Sequence, residues 1–129
     1  MTLIAISTAS SLPIYDQVVR QLSFSIAAGA LSTGEFVPSV RELAKELAIN
    51  PNTVARAYRE LQAAKILTTV RGSGLAVAAG AAQRCQAMRR KLLRQRLREV
   101  FREAEQSRLG KRELMEMIDE ELAELIHPE

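Results

Sequence analysis

Two helix-start signals lie close together near the middle of the chain and restrict the fold more than any other feature. Ser39 is followed three residues later by Glu42, which is the capping-box pattern of a helix N-terminus. Asn50 is a good N-cap, and the proline after it is a good first helical residue. The spacing predicts two short helices, about 39–47 and 51–64, joined by a tight turn of about three residues as in a helix-turn-helix.

The rest of the chain is assigned from hydrophobic periodicity and from its turn residues. Helical spacing of apolar residues marks three further helices, and two β-rich runs flank a turn that contains two glycines. The fold class is therefore mainly α with a small β-hairpin. The predicted additional elements are an edge strand at 3–6, helix 13–28, strands 66–70 and 75–78, helix 82–106 and helix 111–126.

Composition excludes several classes of protein. The chain of 129 residues is 47% hydrophobic and 26% charged, as is usual for a globular protein, and it has no apolar run long enough to span a membrane. The N-terminal apolar patch is short and no basic residue precedes it, so we expect no signal peptide. Together with a single cysteine, this predicts a reducing, cytoplasmic location.

Catalytic and metal-binding chemistry finds no support. The chain has one cysteine, Cys85, and one histidine, His127. A zinc site or a histidine-based triad is therefore not expected, and we predict neither an enzyme nor a cofactor. Cys85 lies on an apolar stripe and is predicted to be a buried small residue rather than a redox sensor. His127, near the C-terminus, is predicted to be exposed.

The third helix carries two opposite faces. With 100° per residue and Val54 at 0°, the apolar side chains of Ala57, Tyr58 and Leu61 lie within about 60° of it. On the other side are Asn52, Arg56 and Arg59, at about 160°, 200° and 140°, with Thr53 flanking them. Asparagine and arginine can each make two bonds to a base edge in the major groove, whereas an ordinary solvated helix face is the plainer explanation.

The surroundings of this helix favour DNA binding. Arg41 lies on the outward side of the preceding helix, and the N-terminal amides of that helix, with Ser39, suit a phosphate. Ser39 is equally explained as an N-cap, and the two roles are compatible. A small, cationic hairpin tip directly after a helix-turn-helix makes a winged helix, whereas on its own it would be a plain turn. The tip residues are Arg71, Gly72, Ser73 and Gly74.

Several motifs resemble the GntR family of transcription regulators. The run 34–44, GEFVPSVRELA, looks like the G-D-x-L-P-S-x-R-x-L-A block of that family, and the run 50–61 is similar to its recognition helix. Residues 13–17, PIYDQ, resemble the P-x-Y-x-Q start of its first helix, and 71–74 looks like its R-G-x-G wing. Departures are Val37 in place of the usual leucine and Ala64-Lys65 where Glu-Gly is common.

The resemblance implies a function and a domain organisation. The short tail is similar to that of the YtrA-type subfamily, which implies a DNA-binding domain at 1–80 and a helical dimerisation tail at 81–129. It also implies a homodimer that binds double-stranded DNA at an inverted-repeat operator, most often as a repressor. DNA contacts would come from Arg41, Asn52, Thr53 and Arg56, with the wing backbone at Gly72 and Gly74.

The tail has strongly segregated charge. Residues 81–112 contain 11 basic and 3 acidic side chains, and 113–129 contain 7 acidic and no basic ones. We favour pairing of the basic helix with the acidic last helix, within one subunit or across a dimer, over a second DNA-binding surface. Pairing would involve Arg89, Arg90, Arg94 and Arg98 with Glu113, Glu116, Glu120 and Glu124. Apolar residues predicted to bury the dimer interface are Met88, Leu92, Leu93, Leu97, Val100, Leu114, Ile118, Leu122 and Leu125.

An alternative from another functional class remains open at this point. A winged helix can also dock a protein instead of DNA, in which case the chain would be an interaction module. The sequence does not identify an effector ligand, the operator or the target genes.

Overall fold

The computed structural model describes residues 4–125, and in these it contains five helices and one two-stranded antiparallel sheet. The structure confirms the predicted fold class, and these five helices and two strands begin and end within a residue of the predicted bounds; residue 126, the predicted end of the last helix, lies outside the described residues. In chain order the elements are α1 (Ile14–Ala27), α2 (Val40–Leu47), α3 (Pro51–Ala63), β1 (Leu67–Val70), β2 (Gly74–Val77), α4 (Ala81–Gln106) and α5 (Lys111–Leu125).

Both predicted helix-start signals around the tight turn form N-caps in the structure. The Ser39 hydroxyl accepts a bond from the Glu42 amide, and the Glu42 carboxylate accepts one from the Ser39 amide. The Asn50 side chain accepts a bond from the Asn52 amide and caps α3. Between the two helices, Ala48 has a left-handed φ of 55°, which ends α2 and turns the chain into α3.

The hairpin is extended by a segment that the sequence did not predict to pair. β1 and β2 pair from Leu67 with Val77 to Val70 with Gly74. On the other side of β2, Phe36 forms an isolated bridge with Ala76. The sequence predicts no strand at 34–37, because Gly34 and the following Pro38 are typical of a loop and the pairing depends on where β2 packs. The bridge attaches the loop before α2 to the wing.

The predicted edge strand is wrong for residues 4–6, which are not in a strand. Both backbone polar groups of Ala5 are bonded by the side-chain amide of Gln21, at 2.7 Å each. Gln17 holds Ser7 in the same way. Because two glutamines of α1 satisfy this backbone, the segment needs no strand partner, and Ile4 is still buried in the core.

The chain divides into two compact units, the first ending at Arg90 and the second beginning at Lys91. The first unit has a continuous apolar core to which α1, α2, α3 and the hairpin contribute. The periodic positions that predicted α1 and α3 supply its centre. Fully buried side chains include Val18, Leu22, Ile26, Val54, Leu61 and Ile66.

The second unit contains the end of α4, the break before α5, and α5. At the break, Arg108 has a left-handed φ of 58°, and the Leu109 amide bonds to the carbonyl of Ala104. Ala104 is the one buried apolar residue in the part of this unit that the structure describes. A groove of about 420 Å³, lined in part by Phe101, Leu114 and Ile118, runs beside it.

Candidate nucleic-acid interface

The third helix presents the two faces that its sequence predicts. Val54, Ala57, Tyr58 and Leu61 are buried, between 0% and 2% exposed. Asn52, Arg56 and Arg59 are exposed on the other side, and Thr53 is half-buried at the edge. α3 therefore offers a polar face to solvent while its apolar side anchors it to the core.

A partly buried hydrogen bond links α3 to the chain before α2. The Tyr58 hydroxyl donates to the carbonyl of Pro38 at 2.7 Å, next to the N-cap Ser39. Burial raises the pKa of Tyr58 far above its usual value, and the negative charges of the nearby Glu42 and Glu46 carboxylates add to this effect. The phenol therefore stays protonated and keeps donating, which ties the two helices of the motif together.

The guanidinium of Arg56 contacts an aromatic ring from another helix. Its guanidinium carbon Cζ lies over the ring of Tyr15, 3.7 Å from the ring centroid. Tyr15 belongs to α1 and was noted in the sequence only as part of a family motif. No local pattern could have identified this contact, because the two residues meet only once α1 packs on α3.

The N-terminus of α2 is partly occupied by its own cap. The hydrogen bonds from Ser39 hold the pKa of Glu42 below its usual value, so its carboxylate is ionised at neutral pH. In the described residues, the amides of Val40 and Arg41 have no hydrogen-bond partner in the protein. The side chain of Arg41 is exposed. This end of α2 thus offers two free amides and a cation, beside one negative charge.

The tip of the hairpin is built by glycine geometry. Arg71, Gly72 and Ser73 form the turn, closed by a bond from the Ser73 amide to the carbonyl of Val70. Gly72 has a φ of +78°, which glycine adopts without the steric cost of a side chain. Gly74 is the first residue of β2 rather than part of the turn. All four tip residues are exposed, with open space where a Cβ of either glycine would lie.

Within residues 91–125, the predicted pairing of the basic helix with the acidic helix is not found, and pairing across a dimer stays a prediction. Over residues 91–125 no salt bridge links Arg94 or Arg98 to α5, and the salt bridge that the described chain does contain joins Arg20 to Asp16. Arg89 instead lies over the ring of Phe24, 3.8 Å from its centroid. The basic and acidic side chains of residues 91–125 are exposed, because long side chains in water gain little from isolated pairing.

The residues predicted for dimerisation fall in both units. Met88 packs against the core of the first unit. Leu92, Leu114 and Ile118 are half-buried. Five others are exposed, although large and apolar: Leu93, Leu97, Val100, Leu122 and Leu125.

The remaining predictions concern single residues. Cys85 is buried, as expected, and burial raises the pKa of its thiol, an effect that the Ser23 hydroxyl partly offsets. His127 lies outside the residues that the structure describes. No helix in 4–125 has the length and apolar character needed to cross a bilayer.

A capped helix-turn-helix followed by a glycine-tipped hairpin defines the winged-helix class of proteins, and here α3 has an exposed polar face. A family model described as bacterial regulatory proteins of the gntR family matches residues 14–77. The HTH-type transcriptional repressor YtrA of Bacillus subtilis is 33% identical over 118 residues, which cover 92% of this chain and 91% of that protein. The chain therefore belongs to the GntR family, and it is a DNA-binding transcription regulator, not an enzyme.

Solved structures agree with this assignment. A transcriptional regulator from Oenococcus oeni has a TM-score of 0.75 and 32% identity, and the match covers 92% of this chain and 98% of that one. The DNA-binding domain of AraR, solved in complex with operator ORX1, has a TM-score of 0.52 and 27% identity. That match covers 58% of this chain and 94% of the AraR domain. The AraR domain, which is similar in fold to this chain, was thus solved with operator DNA bound.

Proposed function

We propose that the chain is a homodimeric transcription repressor in which the outward face of α3 reads the bases of an inverted-repeat operator. The observation that carries this proposal is that Asn52, Arg56 and Arg59 are exposed while the opposite side of α3 is buried. Asn52 and Thr53 belong to the first turn of α3, which is the part of a recognition helix that usually contacts bases. Arginine suits guanine and asparagine suits adenine.

Phosphate contacts come from three places around α3 in this proposal. The free amides of Val40 and Arg41 and the guanidinium of Arg41 hold one phosphate, with the Ser39 hydroxyl able to donate its proton as well. Arg71 and the backbone of Gly72, Ser73 and Gly74 hold another at the wing. The Glu42 carboxylate opposes an anion at α2, so we expect Arg41 to be essential there.

The tail from residue 81 supplies the dimer contact, and the part up to residue 80 supplies the DNA contact. Apolar side chains exposed in a single chain, such as Leu97 and Val100, bury their surface against a second copy. A two-fold dimer presents two recognition helices to a two-fold site, which is why an inverted repeat is expected. A regulator of chromosomal genes acts in the cytoplasm, and the relative named as a repressor supports repression as the outcome.

The experiment that tests this function selects binding sites from a random pool of duplexes with the wild-type protein. We then compare Arg56→Ala and Arg41→Ala on the selected duplex and on random-sequence DNA. Arg56→Ala should cost about 1–3 kcal/mol on the selected duplex and little on random DNA, because it removes a base contact. Arg41→Ala should weaken binding to both DNAs. It should also reduce the slope of log K against log salt concentration by about one, which corresponds to one lost phosphate contact.

Arg112→Ala is the matched control, since it removes one exposed cation from the tail. It should leave base preference unchanged. An equal loss on all sequences for Arg56→Ala would reject its role in base readout. A wild-type protein that enriches no sequence would favour the alternative, a winged helix that docks another protein.

A further inference from the structure

The ring of Tyr15 and the guanidinium of Arg56 are in contact where α1 packs on α3. We propose that Tyr15 is a positioning residue for base recognition: its ring holds the guanidinium of Arg56 in place before DNA binds. This inference rests on the proposed function and adds a residue to it. The contact is the 3.7 Å approach of Arg56 Cζ to the ring centroid.

The ring has a firm support. Tyr15 lies in the first turn of α1, is half-buried, and packs against the core of the first unit. α1 and α3 pack directly on each other, and Val54 and Tyr58 of α3 are buried on either side of Arg56 in sequence. Both partners of the contact are therefore carried by helices anchored to one core. Arg56 meets a surface that moves little relative to its own helix.

The contact leaves the hydrogen-bonding capacity of Arg56 unused. The nearest carboxylate in sequence to Tyr15, that of Asp16, accepts a bond from Arg20 at 3.3 Å. Within residues 4–125, Arg56 has no salt bridge and no side-chain hydrogen bond. A guanidinium held over a ring keeps its N–H donors, whereas one held by a carboxylate has to break that pair before it bonds a base.

Holding the side chain in advance reduces the conformational freedom that it loses on binding. A cation–π contact at an exposed site corresponds to about two- to fivefold in an equilibrium constant. The effect should appear only on DNA that Arg56 reads, since binding to phosphates does not need this guanidinium in one orientation. The predicted signature is a change in the ratio of specific to nonspecific affinity.

The test uses the full chain with Tyr15→Phe and Tyr15→Leu, alone and combined with Arg56→Ala. Phenylalanine keeps the ring and removes the hydroxyl, while leucine removes the ring. We expect Tyr15→Leu to bind the selected duplex about two- to fivefold more weakly with random DNA unchanged, and Tyr15→Phe to behave as wild type. In the Arg56→Ala background, Tyr15→Leu should have no further effect on the ratio. Thermal unfolding identifies any variant that has lost its fold.

A measurement without DNA tests the contact between Tyr15 and Arg56 independently of the proposed DNA-binding function. Ring currents of Tyr15 should shift the NMR resonances of the Arg56 side chain in the free protein, in the wild type and in Tyr15→Phe but not in Tyr15→Leu. Specific DNA binding without that shift overturns the inference alone. A shift without enrichment of any duplex overturns the proposed function and the role of the contact with it.

Two further outcomes count against the proposal. If Tyr15→Phe loses as much specific affinity as Tyr15→Leu, the hydroxyl acts and not the ring. If Tyr15→Leu weakens selected and random DNA equally, the residue supports the fold or a phosphate contact and not the orientation of Arg56.

Discussion

The two units of the chain bury apolar surface in opposite ways. In the first unit, large aliphatic residues of α1, α3 and the hairpin are almost wholly buried against one another. In the second, residues 91–125 keep several equally large side chains exposed, and Leu125 is 79% accessible. The same residue types at the same helical spacing thus form a buried core in the first unit and an exposed apolar surface in the second. The difference is what we expect if a second copy covers the tail, as proposed above.

The first prediction tests whether a second copy covers the tail. Leu97→Glu should dissociate the dimer, because a symmetric interface loses two leucines, at about 1.5–3 kcal/mol each, and gains two charges. Sedimentation equilibrium against protein concentration measures the shift. Gln95→Glu adds the same charge to the opposite side of α4 and should leave the dimer intact. Equal effects of the two variants, or a wild-type protein that is monomeric, would contradict the proposal that a second copy covers the tail.

The second prediction compares one buried and one exposed leucine. Leu22→Ala removes a side chain that is 1% exposed and should lower the free energy of unfolding of the first unit by about 2–5 kcal/mol. Leu122→Ala removes one that is 47% exposed and should leave that free energy unchanged. Urea denaturation followed by tyrosine fluorescence reports on the first unit, which contains both tyrosines. A loss of similar size for Leu122→Ala would show that the units are not independent.

The third and smallest prediction uses a strained residue in each unit. Lys65, after α3, and Arg108, after α4, have left-handed φ values of 61° and 58°. Replacing Lys65 by glycine should stabilise the first unit by about 1 kcal/mol, since relief of the left-handed strain exceeds the entropy that glycine adds to the unfolded chain. The Lys65 carbonyl still accepts its bond from Arg84, which is a backbone contact.

Arg108→Gly serves as the counterpart in the tail. This substitution should not alter the free energy of unfolding of the first unit. Its effect should appear in the loss of helical signal from the second unit. A Lys65→Gly variant that is less stable than wild type would mean that the Lys65 side chain has a role that the structure does not reveal.

Most features that the sequence predicts correctly depend on interactions between residues close together in the chain. The capping box at Ser39, the Asn50 cap and the apolar spacing of α1 and α3 act over a few residues, so their consequences can be recognised in the sequence. The polar face of α3 follows from the same periodicity. The wrong edge strand and the missed bridge at Phe36 both concern backbone groups whose partners are distant in sequence.

Certain features of the site depend on tertiary packing alone. Tyr15 meets Arg56, and Tyr58 meets Pro38, because α1, α2 and α3 share one core. The pairing of the basic and acidic tail helices was predicted from complementary charge. Charge specifies no distance, however, and within residues 91–125 neither Arg94 nor Arg98 has a salt bridge to α5.

By itself, the sequence determined the order of the helices, the tight turn between α2 and α3, and the side of α3 that faces solvent. Those features rest on caps and periodicity, which are short-range. The tertiary structure alone decided that the ring of Tyr15 on α1 lies against the guanidinium of Arg56 on α3 and that the loop before α2 pairs with the wing. Such contacts depend on the distance and angle between packed elements, and no pattern within either element encodes them.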